Sequence, residues 1–177
     1  MRVFLFGFMG SGKTTVGKQL AKKMNLTFID LDHYIETNNG KTIKYLFEAF
    51  GESRFREIEQ NALSEVIRQN DFVLATGGGT PCFYDNIEVM NSKGVTVFLE
   101  LDKQTLVNRL MNAKIHRPLI WGKTEEELRE YIEVTLSQRK PYYQKAQIVV
   151  DGKDIDLNKL TRKVARTAQK NAFGTLE

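Results

Sequence analysis

The stretch Gly7-Phe8-Met9-Gly10-Ser11-Gly12-Lys13-Thr14 decides the fold of this chain. It has the pattern G-x-x-x-x-G-K-[ST], follows the apolar run 3–6 and precedes a segment with helical spacing. Glycines let the backbone curl until successive N–H groups point at phosphate oxygens, and the dipole of the following helix favours the same anions. Lys13 can then reach the β- and γ-phosphates, and the Thr14 hydroxyl can ligate Mg²⁺. The pattern predicts a loop that binds a nucleoside triphosphate; the alternative is a glycine-rich turn without a ligand.

Short apolar segments alternate with helical patterns along the chain. Predicted strands are Arg2–Phe6, Thr27–Asp30, 72–76, Val95–Glu100 and 147–150. Helical spacing marks Lys13–Met24, a stripe through 55–67, then 102–111, Glu125–Tyr143 and 157–168. This alternation predicts an α/β fold with one parallel sheet, helices on both faces and ligands at the carboxyl ends of the strands. Because no repeat or linker interrupts it, we expect one domain over 1–177.

Composition sets the expected surroundings. Hydrophobic residues make up 41% of the 177 residues, which is enough for a core, and the single cysteine, Cys82, cannot form an internal disulfide. The chain enters its first strand directly after Met1, and no apolar run approaches a membrane span. Acidic and basic residues are interleaved, so the net charge of +4 suits small anionic substrates. We therefore expect a cytoplasmic protein that binds neither nucleic acid nor membrane.

Two segments exceed what a strand-helix repeat needs. Residues 33–61 form a long excursion between the second and third predicted strands, and we expect them to cover a second substrate. Residues 113–123 are basic, contain Arg117-Pro118 and Gly122, and are typical of a lid. The alternatives are an elaborated crossover and an ordinary solvated loop.

Two groups of residues follow predicted strands at the ligand edge. Asp30-Leu31-Asp32 ends the second strand, and residues two apart on a strand point the same way. One carboxylate could serve Mg²⁺ through water while the other meets an acceptor hydroxyl; the alternative is that Asp32 caps the next helix. Thr76-Gly77-Gly78-Gly79 ends the third strand, where N–H groups could bind an anion.

Three arginines are expected to face ligands, namely Arg56, Arg117 and Arg139. A guanidinium grips a carboxylate or phosphate through two parallel hydrogen bonds. Glu59, one helical turn after Arg56, can hold that guanidinium in place. Arginines are more often surface residues, so this assignment depends on the resemblance to a known family that the motifs carry.

The motifs that stand together are Gly7 to Thr15, Asp30-Leu31-Asp32 with Ile35-Glu36, Gly51-Glu52, Phe55-Arg56 with Glu59, Thr76-Gly77-Gly78-Gly79, Arg117-Pro118-Leu119, and Arg139 with Pro141, Tyr143 and Ala146. In order and spacing they resemble those of shikimate kinases over residues 3–150. The resemblance implies phosphorylation of the 3-hydroxyl of shikimate by MgATP, a step toward chorismate and the aromatic amino acids. It also implies a nucleoside-monophosphate-kinase-like fold, whose five parallel strands have the order 2-3-1-4-5. We expect the protein to be a monomer.

The resemblance also implies roles for individual residues. Shikimate would be held by Asp32, Arg56, Gly78, Gly79 and Arg139. ATP would be bound by Gly10, Ser11, Gly12, Lys13, Thr14, Thr15, Arg109 and Arg117, with Arg109 near adenine. Thr14 and Asp30 would serve Mg²⁺, and Lys13, Asp32 and Arg117 would be catalytic. The chain departs from the family where Thr80-Pro81-Cys82 replaces commoner small apolar residues, and the match is weak after Val150.

Other functions share parts of this pattern. Gluconate-type and nucleoside-monophosphate kinases have the same loop and lid, but Arg56 and Arg139 beside Asp32 favour a small hydroxy acid. A nucleotide-dependent switch without turnover is the alternative from a different class. GTPase-type switches use N-K-x-D for guanine, and the nearest string here, Asn158-Lys159-Leu160-Thr161, lacks the final aspartate.

Overall fold

A computed structural model of the chain describes residues 1–113, 120 and 122–173. Its sheet contains five strands, β1 (Arg2–Phe6), β2 (Thr27–Asp30), β3 (Phe72–Ala75), β4 (Val95–Glu100) and β5 (Ile148–Asp151). All paired strands run parallel, and their order across the sheet is β2-β3-β1-β4-β5. The predicted fold class and strand order are confirmed.

Seven helices connect and flank these strands in the described residues. They are α1 (Lys13–Met24), α2 (Leu31–Asn39), α3 (Ile43–Ile67), α4 (Asn86–Lys93), α5 (Lys103–Met111), α6 (Glu125–Tyr143) and α7 (Leu157–Phe173), with a 3₁₀ turn at Thr80–Cys82. The sequence pattern does not predict α4 or the 3₁₀ turn. The predicted helix 102–111 begins one residue too early. Asp102 is the N-cap of α5, and its carboxylate accepts a hydrogen bond from Thr105 N at 2.9 Å.

Residues of the central strand pack alternately on two cores. Phe4 and Phe6 belong to one core with side chains from α3 and α4, whereas Val3 and Leu5 belong to a second core with side chains from α1 and α7. All four are fully buried. A strand that is covered on both faces has a continuous run of apolar residues. Residues 3–6, which precede the glycine-rich loop, form such a run.

The excursion at 33–61 is built from α2 and the first part of α3. Helix α3 is broken at Gly51, whose φ of 75° and ψ of 173° are not helical. Positive φ is strained for a residue with a side chain, so a glycine suits this corner. The break divides α3 into two limbs, which place Phe47 and Phe55 on the same pocket.

Most of the predicted lid at 113–123 lies outside the described residues, and so does Arg117. Within the residues that the structure describes, no helix combines the length and apolarity that crossing a membrane requires.

Candidate active site

The loop between β1 and α1 has the curled backbone that its motif predicts. Gly10 and Gly12 have φ values of 81° and 94°, a region that glycine enters without strain. Gly12 is the N-cap of α1, so the positive end of the helix dipole lies at the loop. Lys13 Nζ donates to the carbonyl oxygens of Gly7 at 2.9 Å and Phe8 at 3.0 Å. The lysine therefore lies folded over the loop, close to where phosphates would bind.

Thr14 and Asp30 meet beside this loop. Thr14 Oγ1 donates to Asp30 Oδ2 at 3.1 Å, and the other oxygen of Asp30 accepts a hydrogen bond from His33 N at 3.4 Å. A hydroxyl and a carboxylate at this distance suit Mg²⁺, which takes one or two protein ligands and completes its shell with water and phosphate oxygens. Larger groups of three or more His, Cys, Asp or Glu ligands are absent from the described part of the chain. The donor set fits magnesium.

Asp32 lies on α2 and not on β2. The strand ends at Asp30, and α2 begins at Leu31, so the expectation that the two aspartates share one strand face is wrong. Asp30 is the residue that caps α2, which also contradicts the alternative that Asp32 does so. Asp32 nevertheless lines the pocket together with Lys13, because the first turn of α2 starts at the carboxyl end of the sheet.

The surroundings of Asp32 raise the pKa of its carboxyl group. Its side chain is accessible from the open pocket, but protein encloses it on the other sides. This desolvation, followed by the negative charges of Glu59 and Asp30, raises its pKa to about 6, while Lys13 opposes the shift. A carboxyl group with this pKa is mostly ionised at neutral pH and can still accept a proton.

Arg56 is held by an acidic residue on each side. Its Nη1 donates to Glu59 Oε2 at 2.8 Å and its Nη2 to Glu52 Oε1 at 3.0 Å. Glu59 is 1% exposed and accepts a further hydrogen bond from Thr80 Oγ1 at 2.6 Å. Burial opposes the charge of Arg56, but the carboxylates outweigh this effect and raise its pKa. The arginine therefore stays charged at the edge of the pocket, held by Glu59 as the sequence analysis expected.

The glycine run after β3 lets both arginines come close to the backbone. A Cβ atom on Gly79 would lie 2.7 Å from Arg56 Nη2, and one on Gly78 would lie 3.0 Å from Arg139 Nη1. Tyr143 fixes the other side of Gly78, because its hydroxyl donates to the Gly78 carbonyl at 2.6 Å and accepts from Arg139. Burial raises the pKa of Tyr143 to about 12, so this hydroxyl keeps its proton. The glycines thus provide space for guanidinium groups.

These side chains surround one open pocket. Of the residues that the sequence predicts for the acceptor and its phosphorylation, the structure brings together Lys13, Asp32, Arg56, Gly78, Gly79 and Arg139. Sequence reasoning missed the apolar part of the lining, which consists of Met9, Ile43, Phe47 and Phe55. Met9 lies within the glycine-rich motif itself. For Ile43, Phe47 and Phe55 on α3 no local signal exists, because an apolar side chain on an amphipathic helix looks the same whether it lines a pocket or a core.

The remaining predicted nucleotide residue, Arg109, lies on the opposite side of the loop. Its Nη2 donates to the Gly152 carbonyl at 3.1 Å, and its Nη1 approaches the carbonyls of Gly10 and Ser11 at 3.4 Å. Arg109 therefore links the phosphate-binding loop to the loop after β5, although the sequence match is weak there.

A loop with the phosphate-binding motif after the central strand, next to a pocket that contains Lys13, Arg56 and Arg139, defines a P-loop kinase for a small acceptor. The shikimate kinase family model matches residues 9–169, and the chain belongs to the shikimate kinase family. Members of this family are ATP-dependent kinases, and a nucleotide-dependent switch without turnover is therefore set aside.

Curated relatives and solved structures agree with this family. The shikimate kinase of Parabacteroides distasonis is 51% identical over 150 residues, which cover 85% of this chain and 87% of that protein. A solved shikimate kinase from Bacteroides thetaiotaomicron has a TM-score of 0.88 and 43% identity, covering 96% of this chain and 98% of its own. A shikimate kinase from Acinetobacter baumannii in complex with shikimate has a TM-score of 0.79 and 33% identity, covering 96% and 93%. A gluconokinase from Sinorhizobium meliloti, at 16% identity and a TM-score of 0.58, shares the fold alone.

Proposed function

We propose that this chain transfers the γ-phosphate of ATP to the 3-hydroxyl of shikimate, giving shikimate 3-phosphate and ADP on the route to chorismate and the aromatic amino acids. Membership of the shikimate kinase family supports this reaction. The main structural support for this reaction is that Arg56 and Arg139 lie close to the glycine run and line the same pocket as Asp32.

The two arginines would bind the carboxylate of the acceptor. Charge-assisted hydrogen bonds from guanidinium groups are about twice as strong as neutral ones, and their planar geometry matches a carboxylate. Phe47 and Phe55 provide an apolar wall against which a carbon ring can pack. Gly78 and Gly79 leave the space that this arrangement needs.

Asp32 would orient the acceptor hydroxyl and take its proton. Phosphoryl transfer passes through a loose transition state, so positioning of the acceptor matters more than early deprotonation. With a pKa of about 6, Asp32 is ionised at neutral pH and accepts the proton late in the reaction.

Charge that develops on the phosphates would be stabilised by the loop from Gly10 to Thr15 and by Lys13, whose ammonium group already lies over that loop. Arg117 would add a second cation from the lid. Thr14 and Asp30 would hold Mg²⁺, which supplies neutralisation of the phosphate charge when bound. Arg109 would contact the nucleotide near adenine, and its contact with Gly152 supports that position.

The chain would work as one kinase domain with two accessory parts. The excursion at 33–61 would bind the acceptor, and its two limbs around Gly51 support this role because both line the pocket. The segment 113–123 would close over ATP and keep water from the reaction. A monomeric state and a cytoplasmic location stay predictions from the sequence, and size-exclusion chromatography with light scattering would test the first.

A coupled ADP-release assay tests the proposed reaction. The purified chain is offered MgATP with shikimate, gluconate or nucleoside monophosphates, and the product is identified by mass spectrometry and ³¹P NMR. We expect turnover with shikimate alone and a phosphate on its 3-hydroxyl. Lys13→Ala, purified in parallel, reports contaminating kinase activity. Phosphorylation of gluconate or a nucleotide in preference to shikimate would contradict the proposal.

A further inference from the structure

The segment from Thr80 to Phe83 follows the glycine run and contacts the buried ion pair of Arg56 and Glu59 in the acceptor pocket. It starts with the 3₁₀ turn Thr80–Cys82. The proposed mechanism assigns no role to this segment. Its contacts with Glu59 and Arg56 indicate that it helps to position Arg56.

The Thr80 hydroxyl completes the hydrogen bonding of Glu59. Its Oγ1 donates to Glu59 Oε1 at 2.6 Å, while Oε2 of the same carboxylate accepts from Arg56 at 2.8 Å. Thr80 is fully buried and Glu59 is 1% exposed. A buried carboxylate is costly unless its oxygens are paired, so the hydroxyl fixes the orientation of Glu59 and through it that of Arg56.

The backbone of Thr80 is itself held in place. Its carbonyl oxygen accepts a hydrogen bond from the buried side-chain amide of Asn86 at 2.9 Å, and its N–H donates to the Gly77 carbonyl at 3.3 Å. A Cβ atom on Gly77 would lie 2.8 Å from Glu59 Oε1, 3.1 Å from Thr80 Oγ1 and 3.4 Å from Asp32 Oδ1. The Thr80 hydroxyl, Glu59 and Asp32 therefore all lie close to the backbone of Gly77.

Phe83 contacts the guanidinium group directly. The Arg56 Cζ atom lies 4.1 Å from the centre of the Phe83 ring, closer than the rings of Phe55 at 5.3 Å and Phe47 at 5.6 Å. Nε of Arg56 is buried and has no hydrogen-bond partner among the described residues. The Nε donor is thus not used to hold the guanidinium, and the aromatic face adds a cation–π contact that restrains the group.

We propose that Thr80 and Phe83 are positioning residues that hold Arg56 in the geometry in which it binds the acceptor's carboxylate. Thr80 acts through Glu59, and Phe83 acts by stacking on the guanidinium. The inference rests on the proposed function, because it concerns the same acceptor site. This positioning would increase the specificity of the site for a carboxylate. A guanidinium that is already held on two sides loses less conformational entropy when it binds a planar anion.

The first test compares Thr80→Val, which keeps the shape and loses the hydroxyl, with Thr80→Ser, which keeps the hydroxyl. A hydrogen bond to a charged group is stronger than one between neutral groups. We expect Thr80→Val to raise the KM for shikimate about tenfold while the KM for ATP changes less than about twofold. Thr80→Ser should restore the wild-type KM. The preference of the enzyme for shikimate over its carboxamide should also shrink in Thr80→Val, because a displaced arginine no longer recognises the charge.

A double-mutant cycle identifies the residue through which Thr80 acts. In an Arg56→Lys background, Thr80→Val should add less than about twofold to the KM for shikimate, since the group that it positions is already gone. Equal effects in both backgrounds would overturn the proposal. So would a Thr80→Val enzyme with an unchanged KM, or one whose KM values for shikimate and ATP rise together.

Phe83 provides an independent test if Thr80→Val does not fold. Phe83→Tyr keeps the aromatic face and should have a wild-type KM, whereas Phe83→Leu removes it and should raise the KM for shikimate about threefold. Equal KM values in the two Phe83 variants would overturn the role of the ring. A wild-type enzyme that is inactive on shikimate would overturn the proposed function itself, which distinguishes the two failures.

Discussion

The nucleotide side and the acceptor side of this molecule are built in opposite ways. The phosphate-binding loop takes consecutive residues and presents backbone N–H groups, with the hydroxyls of Thr14 and Thr15 exposed at the start of α1. The acceptor pocket takes side chains from α2, α3, α6 and the segment after β3, and it buries a charged pair. The first site depends on local conformation, whereas the second depends on the whole fold.

This difference predicts two kinds of variants. Changes in the loop should stop phosphate transfer without disturbing the core. Changes in the acceptor pocket should alter recognition of the acceptor, and where a buried charge loses its partner they should also affect folding.

The largest expected effect belongs to Lys13→Ala. Because its ammonium group is the cation that the structure places over the loop, its loss should lower kcat at least about a thousandfold and leave the melting temperature nearly unchanged. Lys22→Ala, which removes an exposed lysine from the same helix, is the matched control and should be active. Wild-type rates in Lys13→Ala would contradict the assignment of the loop.

Asp32→Asn should have the next largest effect. The amide keeps the shape but cannot take the proton, so kcat should fall about a hundred- to ten-thousandfold while the affinity for ATP is kept. Thermal melting should show no loss of stability, because the enclosed carboxylate already disfavours its own charge. A variant that melts earlier and keeps its turnover would show that Asp32 is structural.

The pH profile tests the same carboxyl group in the unmodified enzyme. Since the pKa of Asp32 is about 6, kcat/KM for shikimate should fall about tenfold for each pH unit below that value and level off above it. A raised acid pKa favours the folded state at low pH, so this contribution to stability is present below about pH 4 and is lost as the pH rises through about 6. An acid limb near 4, measured with saturating MgATP, would contradict the assigned surroundings.

Arg56→Lys and Arg139→Lys should each raise the KM for shikimate at least tenfold while the KM for ATP stays nearly constant. A lysine keeps the charge but loses the paired donors, and bonds of this kind contribute about 1.5–3 kcal/mol each. A shikimate analogue with an amide in place of the carboxylate should be a poor substrate for the wild-type enzyme. If the amide reacts as well as shikimate, or both lysine variants behave normally, the arginines do not bind the acceptor.

The smallest effect is expected for Glu52→Gln. Glu52 contacts Arg56 as Glu59 does, but its side chain is 59% exposed against 1% for Glu59. Exposed ion pairs contribute about 0–1 kcal/mol, so the KM for shikimate should change less than about fivefold. A change as large as that of Arg56→Lys would show that the exposed partner, and not only the buried one, positions the arginine.

The parts of the molecule that could be predicted from sequence are those with local signals. The loop is a consecutive motif, and β1 is a short apolar run beside it, so both were identified with the correct bounds. The sheet order came from the family resemblance and is confirmed. The placement of Asp32 failed because α2 starts directly after β2, with no spacer that would mark the change from strand to helix.

The supporting contacts of the acceptor pocket could not be predicted in this way. Thr80 and Glu59 are 21 positions apart, and Tyr143 and Gly78 are 65 apart. Hydrophobic periodicity predicts which side chains are buried, but it does not predict which of two distant elements will face each other. These contacts arise only when the parallel sheet brings α3, α6 and the glycine run to one edge.

The break at Gly51 determines the shape of the acceptor pocket. In an unbroken helix, Phe47 and Phe55 would lie about 12 Å apart along the axis. Here their ring centres are 4.1 Å apart, with the ring planes at 30°, because the helix is broken at Gly51 between them. One backbone dihedral angle thus brings two side chains that are eight positions apart into the lining of the same pocket. The room left for the acceptor therefore depends on the backbone at Gly51 as well as on the side chains that line the pocket.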